Sequence, residues 1–398
     1  MQKPSIFLLL LVFFLISPTT IVAQETEELK IESEAAVLMD AETGQILYGK
    51  QATKKMYPAS ITKIATAIYA LEKGNLHDLV TVSEQATDVI GTRVYLEPGE
   101  VVTLEKLLIG MLVNSGNDAA YAIAEHLDGS IADFSRNINH FLREKVGVTN
   151  TNFTNPHGLF DENHYTTPRD MGLITRYAMN NEQFMEYFQI QEYEWDGLTW
   201  QTTLHNHHRL VKGEFVFEGI TGGKNGFVNE SGHTLVTTAE RDGQALIVVT
   251  MNALDRNTPY YDTMQLLEYG FQHFEKRIIP EGTILRENGE EYLVSEDLVY
   301  WEPVDAAIQQ EISSTGLFRI KDQTGQILVT YELIPKTPEQ AEEASSAAVG
   351  HHDVQLSQQG SLKRILATAG ATFAIVWTGI LLWRRKVAKK KQMAIGHQ

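Results

Sequence analysis

Three short clusters in this chain carry the side chains of an acyl-transfer site: Ser60 with Lys63, Ser115 with Asn117, and Lys224-Asn225-Gly226. On a helix, residues three apart lie on one side, which brings the Ser60 hydroxyl within reach of the Lys63 amine. A serine hydroxyl attacks a carbonyl only when a base takes its proton, and lysine is such a base only when neutral. Lys63 sits where the positive end of a helix dipole disfavours its ammonium. A plain helix cap is the ordinary reading of Ser60. A capping box, however, wants Glu or Gln three residues on, and the residue there is Lys63. Taken singly, the second cluster reads as an interhelical turn and the third as a glycine-containing strand. Their order and their settings give them weight together.

The elements that must position these clusters follow from periodicity. From Pro58 a helix runs through Leu71, with Ile61, Ile64, Ile68 and Leu71 as one buried face. A second helical run spans 103–113, breaks at Asn114-Ser115-Gly116-Asn117 and resumes over 119–127. Gly and Asn at such a break favour a tight turn that pushes Ser115 and Asn117 outward. Asn155-Pro156-His157-Gly158-Leu159 reads as a loop, and Thr167-Pro168-Arg169-Asp170 as a helix start. A hairpin is expected over 36–39 and 45–48, further strands over 220–227, 232–238 and 245–251, and a helix over 264–274. These elements imply an α+β domain with one antiparallel sheet, residues 24–277. Residues 278–334 change to short strands (283–285, 292–294, 316–320 and 327–333), a small β-rich domain. His205, His207 and His208 have no Cys, Asp or Glu in their cluster and read as a solvated loop, not a metal site.

The chain ends have their own composition. Residues 1–23, with an apolar run from Ile6 to Ile16 and small residues ending at Ala23, read as a signal peptide. Residues 335–364 form a polar linker, 365–383 an uncharged span of membrane-crossing length, and 384–398 a basic tail that stays on the cytoplasmic side. The formal charge of −18 therefore hides a more acidic external body, with 26 basic and 51 acidic residues. So acidic a surface excludes nucleic acid as a partner. The absence of cysteine excludes disulfides and thiolate metal sites, and no metal or organic cofactor is implied.

Serine-x-x-lysine, then Ser-Asp-Asn, then Lys-Thr-Gly marks penicillin-binding proteins and class A β-lactamases. With Pro58-Ala59-Ser60-Ile61-Thr62-Lys63, Asn114 to Ala120, Asn155 to Leu159, the hairpin over 36–50, the small β domain and the apolar C-terminus, the chain resembles the low-molecular-mass penicillin-binding proteins. These are serine-type D-alanyl-D-alanine carboxypeptidases. The resemblance implies a penicillin-binding/β-lactamase-like catalytic domain, an antiparallel sheet with a helical subdomain. It also implies a body outside a bacterial cell membrane, removal of the terminal D-alanine from peptidoglycan stem peptides, and inhibition by β-lactams. Ser60 is then the nucleophile, Lys63 its base and Ser115 the proton relay to the leaving amine. Asn117 holds the substrate amide and places Lys63. Lys224 supplies charge for the terminal carboxylate, the Asn225 amide can donate to it, Gly226 and Phe227 bind substrate beside them, and the backbone N–H groups of Ser60 and Phe227 form the oxyanion hole. One departure is Asn225, where the family carries Thr or Ser; Arg209 is a further candidate for the carboxylate. The alternatives are a slow or noncatalytic cell-wall-binding relative, which Asn225 favours and the intact nucleophile opposes, and a class A-like β-lactamase, for which no activating glutamate follows the Ser115 cluster.

Overall fold

The computed structural model describes residues 29–304, 307–321, 325 and 327–335, the side chain of residue 328 excepted. The expected signal peptide, membrane span and basic tail lie outside the described residues, as does the linker apart from Pro335. Among the described residues, no helix is long and apolar enough to cross a membrane. Contacts divide the chain into two compact units between Gln272 and His273.

In the first unit, β1 (Ala35–Asp40) and β2 (Ile46–Lys50) form the expected hairpin, with a bulge between Leu38 and Met39. A 3₁₀ turn, Ala59–Thr62, leads into α1 (Lys63–Lys73). Ser60 therefore precedes the α-helix instead of opening it. Every residue from Lys63 to Ala70 is buried, so α1 is a central helix and not one with a single buried face. A small ribbon of β3 (Leu79–Thr81) and β4 (Val101–Thr103) follows. Thr103 then caps α2 (Leu104–Val113), its Oγ1 accepting from Lys106 N at 3.2 Å. The helices α3 (Asn117–Asp128), α4 (Ile131–Phe141), α5 (Pro168–Met179) and α6 (Glu182–Phe188) follow, besides a single helical turn at Glu84–Thr87 and a π-helical turn, Leu142–Val146, that prolongs α4. Thr167 caps α5 and Pro168 fills its first position, where a missing N–H costs nothing.

The chain then makes a hairpin of β5 (Glu192–Asp196) and β6 (Gln201–His205), followed by β7 (Ile220–Val228), β8 (Gly232–Arg241), β9 (Gln244–Ala253) and α7 (Thr258–His273). The main sheet is antiparallel throughout, in the order β2-β1-β9-β8-β7. Helices cover both faces. Gly172 of α5 lies against Val37 and Met39, and Gly270 of α7 lies against Leu38 and Leu246. That is why β1 is buried along its whole length; β7, last in the strand order, is an edge strand.

The described residues of the second unit form strands: β10 (Phe274–Ile279), β11 (Ile284–Glu287), β12 (Glu290–Leu293), β13 (Leu298–Pro303), β14 (Gln309–Ile312), β15 (Leu317–Lys321), β16 (Ile327–Glu332) and β17 (Ile334–Pro335). They form three small sheets, β10-β13, β11-β12-β17 and β14-β15-β16, around Leu285, Val294, Phe318 and Ile320. The boundary expected at 277 falls inside β10, whose pairing with β13 ties it to this unit. Pro335, expected in the linker, pairs with Tyr292.

Candidate active site

Lys63 is fully buried at the start of α1, and its Nζ has three acceptors: Ser60 Oγ at 3.0 Å, Asn117 Oδ1 at 2.7 Å and the His157 carbonyl at 2.9 Å. Two of these are fixed oxygens that only accept. A neutral Lys63 therefore spends its two hydrogens on Asn117 and His157, and its lone pair faces the Ser60 hydroxyl. Burial holds its pKa well below the usual lysine value, the Lys224 cation adds to the effect and Asp118 opposes it. The sequence argument rested on the helix terminus; the larger cause is desolvation, which no local pattern displays.

The second cluster closes on Lys63 from α3. Ser115 takes φ 61, in the left-handed region uncommon for a serine, at the break between α2 and α3. The break does not turn Ser115 and Asn117 out into solvent: their exposures are 6% and 4%. Asn117 Nδ2 donates to the Ile90 carbonyl at 2.7 Å, which leaves Oδ1 facing Lys63. Of its two expected tasks, this arrangement serves the placing of Lys63. Behind it, the buried Asp118 carboxylate accepts from the backbone N–H groups of Val94 and Leu96 and so ties α3 to the loop that carries Ile90.

The third cluster comes from β7. Lys224 Nζ donates to Ser115 Oγ at 3.0 Å and to the Asn225 carbonyl at 3.0 Å, and burial lowers its pKa to about 7. Gly226 passes so close to the 3₁₀ turn that a Cβ there would lie 2.7 Å from Ser60 N and 2.6 Å from Thr234 Oγ1. Only glycine lets the strand approach the Ser60 backbone. Phe227, next along, turns a half-exposed ring onto His233, with centroids 4.5 Å apart. Asn225 is the odd member: its buried Oδ1 has no hydrogen-bond partner.

A cleft of about 600 Å³ runs beside β7, with Asn225, Gly226, Phe227, Arg209, Lys212 and Arg256 on its walls. Arg209, expected as a possible carboxylate ligand, already pairs with Glu214 at 2.6 Å and lies over the Phe215 ring. Arg256 was not singled out in the sequence. Among the described residues it makes no hydrogen bond or ion pair, and no motif surrounds it. His208 corrects the solvated-loop reading: it is fully buried, contacts Thr237 Oγ1 at 2.9 Å, and has a pKa lowered to about 3 by desolvation. His205 and His207 remain exposed.

Residues 21–255 match the family model described as D-alanyl-D-alanine carboxypeptidase. The chain is 32% identical over 258 residues to D-alanyl-D-alanine carboxypeptidase DacF of Bacillus subtilis, covering 63% of this chain and 65%, just under two thirds, of that protein. It is 30% identical over 295 residues to DacC of Escherichia coli, covering 68% of this chain and 70% of that protein. Among solved structures, penicillin binding protein 5 from Haemophilus influenzae shares the fold with a TM-score of 0.65 at 24% identity, covering 77% of this chain and 98% of that chain.

Proposed function

The chain belongs to the D-alanyl-D-alanine carboxypeptidase family, and from that premise we propose that it releases the terminal D-alanine of peptidoglycan stem pentapeptides through an acyl-enzyme on Ser60. The observation that carries the reading is the buried Lys63 amine, 3.0 Å from Ser60 Oγ and held by two oxygens that cannot donate. Lys63 takes the Ser60 proton as Oγ attacks the carbonyl between the two D-alanines. The negative oxygen that forms is stabilised by the N–H groups of Ser60 and Phe227. Ser115, 3.0 Å from the Lys224 amine, passes a proton to the leaving amine as the C–N bond breaks. Water then attacks the ester and frees Ser60.

Lys224 and Arg256 supply charge for the substrate's terminal carboxylate, the group that distinguishes a carboxypeptidase substrate from an internal peptide. Asn225 donates through its amide where a hydroxyl is usual, and Arg209 is withdrawn into its pair with Glu214. The composition of residues 1–23 and 365–398 supports a cleaved leader and a C-terminal anchor that holds the body outside the membrane.

A fluorescent penicillin and a D-alanine release assay on a pentapeptide mimic test this reading. Wild type is labelled and releases D-alanine, and Ser60→Ala does neither. Labelling that persists in Ser60→Ala overturns the nucleophile; labelling without D-alanine release makes the protein a binder, and rapid penicillin turnover makes it a β-lactamase.

A further inference from the structure

Behind the nucleophile runs a directed chain of hydrogen bonds that the reaction scheme does not use. The Thr154 backbone N–H lies 3.0 Å from His164 Nδ1, and a backbone N–H can only donate. Nδ1 therefore bears no hydrogen, and the neutral ring carries its proton on Nε2. That N–H faces Thr62 Oγ1 at 2.9 Å, and the Thr62 hydroxyl donates onward to the Ala59 carbonyl at 2.9 Å. His164 and Thr62 are both buried, and the imidazole stacks on Phe153 with centroids 5.0 Å apart. Desolvation lowers the His164 pKa to about 3, so the ring stays neutral at ordinary pH.

The chain ends on a significant peptide. The Ala59 carbonyl and the Ser60 N–H belong to one planar unit, so the direction of the first sets the direction of the second. Ala59 has φ 50, a conformation that alanine avoids, and holds it against the 3₁₀ turn. Gly158, at φ 86, seals the other side: a Cβ there would come within 1.9 Å of the Ala59 oxygen. A carbonyl that accepts a hydrogen bond polarises its peptide and strengthens the N–H at the far end as a donor.

We infer that His164 and Thr62 are positioning residues for the oxyanion hole, which aim and strengthen the Ser60 N–H through the Ala59–Ser60 peptide. This rests on the acyl-enzyme reading above. Thr62→Val keeps the shape and removes the hydroxyl. Its acylation by penicillin slows roughly tenfold, a part of the loss of about 10²–10³ that follows removal of an oxyanion donor outright. With the peptide substrate, kcat falls while KM stays within about twofold, because the hydrogen bond strengthens only as charge develops.

The decisive readout is the infrared carbonyl stretch of the ¹³C-labelled acyl-enzyme in the full-length protein. Weaker hydrogen bonding to the ester oxygen moves the band to higher wavenumber in Thr62→Val, and Thr62→Ser, which keeps the hydroxyl, restores it. If Thr62→Val does not fold, the same band is read in His164→Asn, whose shorter side chain cannot span Thr154 N and Thr62 Oγ1. A band unmoved in the folded variant overturns the inference. The lack of any acyl band in wild type overturns the acyl-enzyme reading itself, and the inference with it.

Discussion

At Asn225 the strand carries a buried amide oxygen with no partner. Leaving such a group unpaired costs about 1–3 kcal/mol. Asn225→Thr removes it and places a β-branched residue on a strand. We expect the variant to melt a few degrees higher, since about 1 kcal/mol corresponds to roughly 2–4 °C at this size. D-alanine release is expected to be equal or faster. A large loss of kcat/KM would show that the amide is adapted to its substrate. The residues of the three clusters were legible in the sequence because each keeps a fixed neighbour in the chain: Ser60 with Lys63, Ser115 with Asn117, Lys224 with Gly226. Arg256 and His164 were not, because each reaches the site from a distant segment with no companion to mark it. The desolvation of Lys63 was hidden for the same reason: burial is a property of everything packed around a residue.

The supporting elements are held together by close backbone approaches. Gly226→Ala would drive a methyl group to within 2.7 Å of Ser60 N and 2.6 Å of Thr234 Oγ1, pushing β7 off the Ser60 turn. We expect loss of penicillin labelling with the fold retained, because β7 is an edge strand and yields without opening the sheet. Undiminished labelling would show that β7 has slack that the contact distances deny. Elements with local signals were readable: the β1-β2 hairpin from its turn, α5 from Thr167 and Pro168, and β8-β9 from the turn at Asp242-Gly243. The 3₁₀ turn at Ala59–Thr62 was not, since a left-handed alanine is imposed by Gly158 and β7 from outside the segment. The β5-β6 hairpin did carry a period-two signal in Glu192-Tyr193-Glu194-Trp195-Asp196, which the polar stretch after it obscured.

Across the whole molecule, buried bases give stability a common dependence on pH. His157, His164, His208, Lys63 and Lys224 all have pKa values lowered by burial. The unfolded chain therefore binds more protons than the folded one, and unfolding free energy rises with pH. The histidine contribution is complete above the usual histidine value of 6.5 and is lost as pH falls towards about 3. The Lys224 contribution grows from about 7 towards the usual 10.5. Each proton contributes a slope of up to about 1.4 kcal/mol per pH unit, and Asp118, whose pKa is raised by burial, opposes the trend only at the acid end. Calorimetric Tm values are expected to rise from pH 5 to 9, with Lys224→Met flattening the alkaline part; a flat wild-type profile would refute this. The strand order also bears on the life of the chain before it has a site. β1 pairs with β9, so the sheet cannot close until residue 253 has been made, and loop closure over that distance disfavours early pairing. During synthesis from the N-terminus, Ser60 exists long before Lys224 and the strand that will stand beside it. On the proposed mechanism, the nascent chain thus carries an unarmed serine, and reactivity arrives only when the body of the protein is complete.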